Sequence, residues 1–381
     1  MDSKWILSLL LVIGCAFAVN AQGRSFIGIK TEDGTTIDDV ALATLQSGLT
    51  TVFFPIIYTV VFVVGLTANG MAIWVFLFRT KKKHPSSIYM ANLALADLLF
   101  VVWMPLKISY HVNGNNWLYG EPLCKVLVSF FYGNMYCSVL FITCLSVQRY
   151  WVVANPMSSQ RKNNTVAISV CVAVWVFIWI TSTPLYLYDH TTKIKGTNMT
   201  TCHDVIVIGQ DGKDLYESIK YPFFYFLFMA TVSFFIPCIV IIVAYALLLK
   251  TLGSNTVDSN ATKTRRKAVV LILVVLVTFL ICFIPSNIML VVHYVLVKTE
   301  MEDRGYGFYI TSLCLASLNS CLDPFIYYFV SEEFREHVKN TLLCRSSRAV
   351  EQEKAAYSSM RYSKKNRSFM SGSTNTENIT C

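Results

Sequence analysis

A chain of 381 residues with 54% hydrophobic and only 14% charged side chains, and a mean hydropathy of +0.51, carries more apolar surface than a soluble domain of that size can bury. The net charge of +9 does not mark a nucleic-acid partner, because lysine and arginine gather in particular loops and the tail rather than along one stripe. Much of the surface must face membrane lipid, which excludes an ordinary soluble enzyme.

At the N-terminus, residues 1–21 combine Lys4, an apolar run from Trp5 to Val19, and small residues before cleavage points after Ala18 or Ala21. This pattern predicts a signal peptide; the alternative, an uncleaved anchor, is disfavoured because the run falls short of the about 20 residues that span a bilayer. Residues 22–24 then form a short propeptide ahead of the Arg24–Ser25 bond, where a trypsin-like protease would find its basic side chain. Residues 25–50 read as an extracellular leash. Its acidic residues Glu32, Asp33, Asp38 and Asp39 fit either a protease exosite ligand or a solvated linker.

Seven apolar stretches follow, near 51–79, 86–110, 122–154, 165–188, 218–250, 266–297 and 306–329. Each is long enough to cross about 30 Å of hydrocarbon, and lipid demands that backbone groups be bonded internally, so the bundle of residues 51–330 is expected to be all helical. Arg79, Lys81, Lys82 and Lys83 follow the first span, Arg161 and Lys162 the third, and Lys263, Arg265, Arg266 and Lys267 precede the sixth, whereas His111 to Gly120 holds no lysine or arginine. The basic loops belong inside, which leaves the N-terminus outside. Of the twelve cysteines most lie within spans, but Cys124 and Cys202 both fall at the oxidising outer side and are expected to be bridged. Among the sequons, Asn198 lies in an outer loop and is the expected glycosylation site, while Asn163, Asn260, Asn366 and Asn378 lie inside and should stay bare. Residues 331–344 read as a short amphipathic interfacial helix with Cys344 as a palmitoylation site, and 345–381 as a disordered cytoplasmic tail rich in serine and threonine.

The spans carry an ordered set of marks: Asn69, Asn92 with Asp97, Gln148-Arg149-Tyr150, Trp175, Pro237, Cys282-Phe283-Ile284-Pro285 and Asp323-Pro324-Phe325-Ile326-Tyr327. From about residue 51 to 343 the chain resembles the rhodopsin-like G-protein-coupled receptors, seven-helix bundles with a short eighth helix. Within them Cys202-His203-Asp204-Val205, Ser146-Val147-Gln148-Arg149-Tyr150-Trp151 and Asn319-Ser320-Cys321-Leu322-Asp323-Pro324 look like the protease-activated receptors, of the trypsin-type branch. Ser25-Phe26-Ile27-Gly28-Ile29-Lys30 is similar to that branch's tethered agonist, with Phe26 where leucine is usual.

The resemblance implies a plasma-membrane receptor in which one cut after Arg24 creates an agonist that stays attached, at an effective concentration on the order of millimolar. A cut after Lys30 would instead remove that agonist. The new ammonium of Ser25 needs an acidic acceptor, for which Asp204 is the first choice, with His203, His293, Tyr294, Tyr306 and Tyr309 around the peptide; His293 reads equally as a hydrogen-bonded interface residue. Arg149, with Tyr245 and Tyr327, is expected to meet the G protein, while Phe279, Phe283 and Pro285 repack and Asp323-Pro324 rearranges in the last span. Gln148 departs from the usual acidic residue beside Arg149, though the trypsin-type branch shares it. Asp97, Ser138, Asn319 and Asp323 imply an allosteric sodium site, or else a purely structural hydrogen-bond network; no other cofactor is expected. Expected partners are a trypsin-like serine protease, heterotrimeric G proteins of the calcium-coupled Gq type, receptor kinases and arrestin. A transporter would want repeat symmetry and an enzyme a nucleophile or metal cluster, and neither pattern occurs. A receptor for a soluble peptide or lipid is the remaining alternative, separated by whether Arg24 is required.

Overall fold

The computed structural model describes residues 26–31, 34–80, 84–155, 164–208, 224–254, 259–298 and 306–342. The signal peptide, the Arg24–Ser25 bond, Asn163, Cys344 and the tail lie outside them, as do the side chains of Phe26, Ile27, Asn260, His293, Tyr294 and Tyr306.

Seven helices are long and apolar enough to cross a membrane: α1 (Asp39–Arg79), α2 (Pro85–Val112), α3 (Gly120–Ala154), α4 (Asn164–Leu187), α5 (Phe224–Leu252), α6 (Ala268–Val292) and α7 (Gly307–Val330). Their outward faces remain apolar. On α4, for example, Val166, Val172, Val176 and Ile180 are exposed, as lipid-facing side chains should be. Helices approach where small residues allow it: a Cβ on Gly65 would stand 2.9 Å from Cγ2 of Val101, so α1 and α2 pack at that glycine. Polar side chains also join helices, as where Trp175 Nε1 donates to Asn92 Oδ1 at 2.9 Å.

Helices α5 and α6 each carry a proline next to a widened turn. Five-residue π-type turns at Thr231–Phe235 and Phe279–Phe283 stand just ahead of Pro237 and Pro285, where the missing N–H and the ring disturb the regular ladder.

Helix α1 begins at Asp39, well ahead of the apolar stretch that starts near 51. Ala41 and Leu45 explain the extension, since they are buried with Phe54, Tyr58, Met104 and Ile310 in a core at the outer end of the bundle. Before it, β1 (Phe26–Thr31) and β2 (Gly34–Thr36) form an antiparallel hairpin. The loop between α4 and α5 supplies β3 (Thr191–Lys193) paired with β4 (Thr200–Cys202), then β5 (Val205–Ile208), which runs parallel to β1. The resulting three-stranded sheet has the order β2-β1-β5.

Residues 331–342 form a separate unit. Its helix α8 (Glu332–Leu342) is capped by Ser331, whose Oγ accepts the Phe334 N–H at 3.2 Å.

Candidate ligand site and signalling core

The loop after α4 is fastened to α3 at several points. Cys202 is bonded to Cys124. Glu121, in the first turn of α3, accepts the main-chain N–H of His190 at 2.7 Å and of Thr191 at 2.8 Å. Lys125, one turn on, pairs with Asp189 at 3.0 Å. His203 donates its N–H to the His190 carbonyl at 2.8 Å and adopts a left-handed φ of 71°, a conformation a non-glycine residue holds only when its surroundings enforce it. This bend turns Asp204 inward, where Tyr110 donates its hydroxyl to Oδ2 at 2.5 Å.

The two histidines of the loop meet here, with Nδ1 of His190 and Nδ1 of His203 3.2 Å apart. Burial holds the His190 imidazole below the usual histidine range, against the opposing pull of the Leu185 carbonyl 2.7 Å from its Nε2. His203 Nε2 lies 3.1 Å from the Tyr132 hydroxyl, itself 3.2 Å from that of Tyr309.

Beneath the loop is a partly open pocket, lined among others by Tyr58, Lys107, His111, His203, Asp204 and Tyr309. Three of the expected ligand-site residues, His203, Asp204 and Tyr309, are therefore brought together. Tyr58, Lys107, Tyr110, His111, Asn115 and Tyr132 were missed. Lys107, His111 and Asn115 recur every four residues at the outer end of an apolar span, and such a polar ladder is expensive enough in lipid to have flagged them.

The segment following Arg24 lies on this loop. Phe26 pairs with Val205, Ile27 with Ile206, Gly28 with Val207 and Ile29 with Ile208. The residue after Ser25 thus stands opposite the residue after Asp204.

Deeper in the bundle, Asp97 and Asp323 are fully buried. Asp97 accepts from Asn134 at 2.9 Å and Ser320 at 2.8 Å, and Asn319 donates to Ser138 Oγ at 3.1 Å. Neither carboxylate oxygen of Asp323 has a hydrogen-bond partner among the described residues, although the side chain is buried near Asp97. Two buried acids, a serine and an asparagine form a donor set of oxygen atoms that fits a small monovalent cation.

Toward the inner end, Arg149 Nη2 donates to the Val330 carbonyl at 2.6 Å, and Ser146 Oγ lies 2.9 Å from the Tyr245 hydroxyl. Tyr327 instead reaches Asn69 Oδ1 at 3.3 Å and Asp97 Oδ2 at 3.5 Å. Phe279 stacks on Phe234 with ring centroids 6.1 Å apart and meets Phe283 edge to face at 5.2 Å, so these rings brace α6 against α5 beside the widened turn ahead of Pro285.

Residues 68–327 match the family model described as the seven-transmembrane receptor (rhodopsin family). The chain is 51% identical over 367 residues to proteinase-activated receptor 2 of Mus musculus, covering 93% of this chain and 90% of that one. It is 48% identical over 394 residues to the protein of the same name from Homo sapiens, covering 98% of each. It is also 39% identical over 302 residues to proteinase-activated receptor 1 of Xenopus laevis, covering 79% of this chain and 69% of that one. The chain belongs to the proteinase-activated receptors within the rhodopsin family, and is a multi-pass plasma-membrane receptor rather than an enzyme.

Proposed function

We propose that a trypsin-like serine protease cuts this receptor after Arg24, and that the freed segment Ser25-Phe26-Ile27-Gly28-Ile29-Lys30 acts as a tethered agonist whose new ammonium binds Asp204. The pairing of Phe26 with Val205 carries this reading, because it holds the segment one residue past the only acid in the Cys202-His203-Asp204-Val205 loop. In the intact chain the nitrogen of Ser25 belongs to a neutral amide. Hydrolysis converts it into a cation beside a carboxylate, a charge-assisted contact of about 1.5–3 kcal/mol that exists only after cleavage and so can shift the balance between two bundle packings.

The signal then passes to the core. Repacking of Phe279 and Phe283 at Pro285 moves the inner end of α6, Asp323-Pro324 and Tyr327 rearrange, and Arg149 turns from Val330 toward a heterotrimeric G protein, in our reading of the Gq type with a calcium output. Asp97, Ser138, Asn319 and Asp323 would hold a sodium ion in the resting packing, where its charge offsets the two buried acids. Receptor kinases then phosphorylate the serine-rich tail and arrestin follows. Asn198 sits exposed in the β3–β4 turn, a position that favours its glycosylation; Cys344 takes palmitate. In cells loaded with a calcium indicator, trypsin should excite the wild type and not Arg24→Ala, while both answer the synthetic hexapeptide of residues 25–30. A trypsin response retained by the surface-expressed variant would move activation to another site.

A further inference from the structure

Lys30 is as basic as Arg24, and its side chain is exposed, so side-chain chemistry alone does not protect the bond after it. Hydrolysis of the Lys30–Thr31 amide would add water across that bond and detach everything ahead of Thr31. The backbone around it is nevertheless engaged. β1 is the central strand of its sheet: Lys30 pairs with Thr35 and Thr31 with Gly34 on one edge, while Gly28 and Ile29 pair with Val207 and Ile208 on the other. Serine proteases take their substrates as extended strands, through main-chain bonds to an open edge; here β2 covers one edge at Lys30 and Thr31, and β5 covers the other as far as Ile29, the residue before the scissile pair. Arg24 lies outside the described residues, and the pairing of β1 begins after it, at Phe26.

The covering strand β2 is itself anchored. Thr35 is buried, its carbonyl accepts the Lys195 N–H at 2.9 Å, and it bridges to Ile194 of the loop. Gly34 makes the approach feasible: its φ is +139°, and a Cβ there would meet the Lys193 carbonyl oxygen at 3.3 Å.

We infer that the β2-β1-β5 sheet shields the Lys30–Thr31 bond, so that the fold and not side-chain chemistry directs a protease away from the cut that would discard the segment. This inference stands whether or not cleavage after Arg24 activates the receptor. The test uses a lysine-specific endoprotease on full-length receptor carrying Arg24→Lys, and on the free peptide of residues 22–40 with the same substitution. New N-termini at Ser25 and Thr31 are counted by mass spectrometry at early times, so the cut at position 24 serves as reference on the same chain and cancels any effect of the nearby membrane. Relative cutting after Lys30 should fall about tenfold or more from peptide to receptor, since the protease must wait for local opening. Adding Gly34→Val should return the ratio toward that of the peptide. Equal ratios in receptor and peptide would overturn the inference. If the valine variant fails to reach the surface, hydrogen exchange on the wild type decides: slow exchange of the Lys30 and Thr31 amides supports shielding, and exchange at the free-peptide rate refutes it.

Discussion

Asn115 donates its side-chain amide both to the main-chain carbonyl of Leu45 and to the hydroxyl of Thr50, which lies 2.9 Å away. The residue is fully buried, and its Oδ1 lies 2.5 Å from Nδ1 of His111. One side chain thus ties the start of α1 to the outer end of α2, the ground on which the leash stands.

Replacing it should therefore loosen the outer end of the bundle. Asn115→Ala leaves the Leu45 carbonyl and His111 with one buried partner fewer, at a cost of about 1–3 kcal/mol. We predict a thermal midpoint in detergent about 5 °C lower than wild type. An unchanged midpoint would show that the clamp contributes nothing.

A second prediction concerns basal signalling. Gln148 offers Arg149 no charge, and the Arg149 guanidinium is bonded to a neutral carbonyl at Val330. Gln148→Asp supplies a carboxylate that competes for the guanidinium in the resting state, and a partly exposed pair of this kind is worth up to about 1 kcal/mol. Ligand-free signalling at equal surface expression should drop about twofold to fivefold. Undiminished basal output would count against the idea.

Acid should weaken the outer loop through His190. Its folded pKa lies below the unfolded value because burial penalises the imidazolium, so below the ordinary histidine range the unfolded chain binds the extra proton. The stability contributed by the neutral ring is present above about pH 6.5 and is lost as pH falls toward the folded value. The groups around the ring are Glu121 and Asp189, which oppose that shift, Lys125, which reinforces it, and His203. Thermal melts between pH 7.5 and pH 5 should show a falling midpoint, with a shallower fall for His190→Gln. The same slope in both proteins would remove His190 from the explanation.

Much of this architecture can be read from the chain itself. The spans follow from apolar length, and the loop anchor from two cysteines at the oxidising face. The sheet could not be read in the same way. Its strands are short, and the partners Phe26 and Val205 lie far apart in sequence in a parallel pairing, which tertiary contacts and not local alternation decide. The start of α1 at Asp39 was hidden for a related reason, since the polar residues between Asp38 and Thr51 become helical by burying Ala41 and Leu45. Asp204 was legible as an acid beside a cysteine; its partner Tyr110 was not, being one tyrosine among twenty.

The claim on which the account turns is that the ammonium of Ser25 meets Asp204, and a two-by-two potency comparison tests it most directly. The synthetic hexapeptide of residues 25–30, with a free or an acetylated N-terminus, is applied to cells expressing wild type or Asp204→Asn, which keeps an acceptor for Tyr110. Acetylation should cost about tenfold or more in calcium potency on the wild type and far less on the variant, because the lost contact is a charge-assisted hydrogen bond present in only one of the two receptors. An equal loss on both would place the ammonium elsewhere and contradict the account.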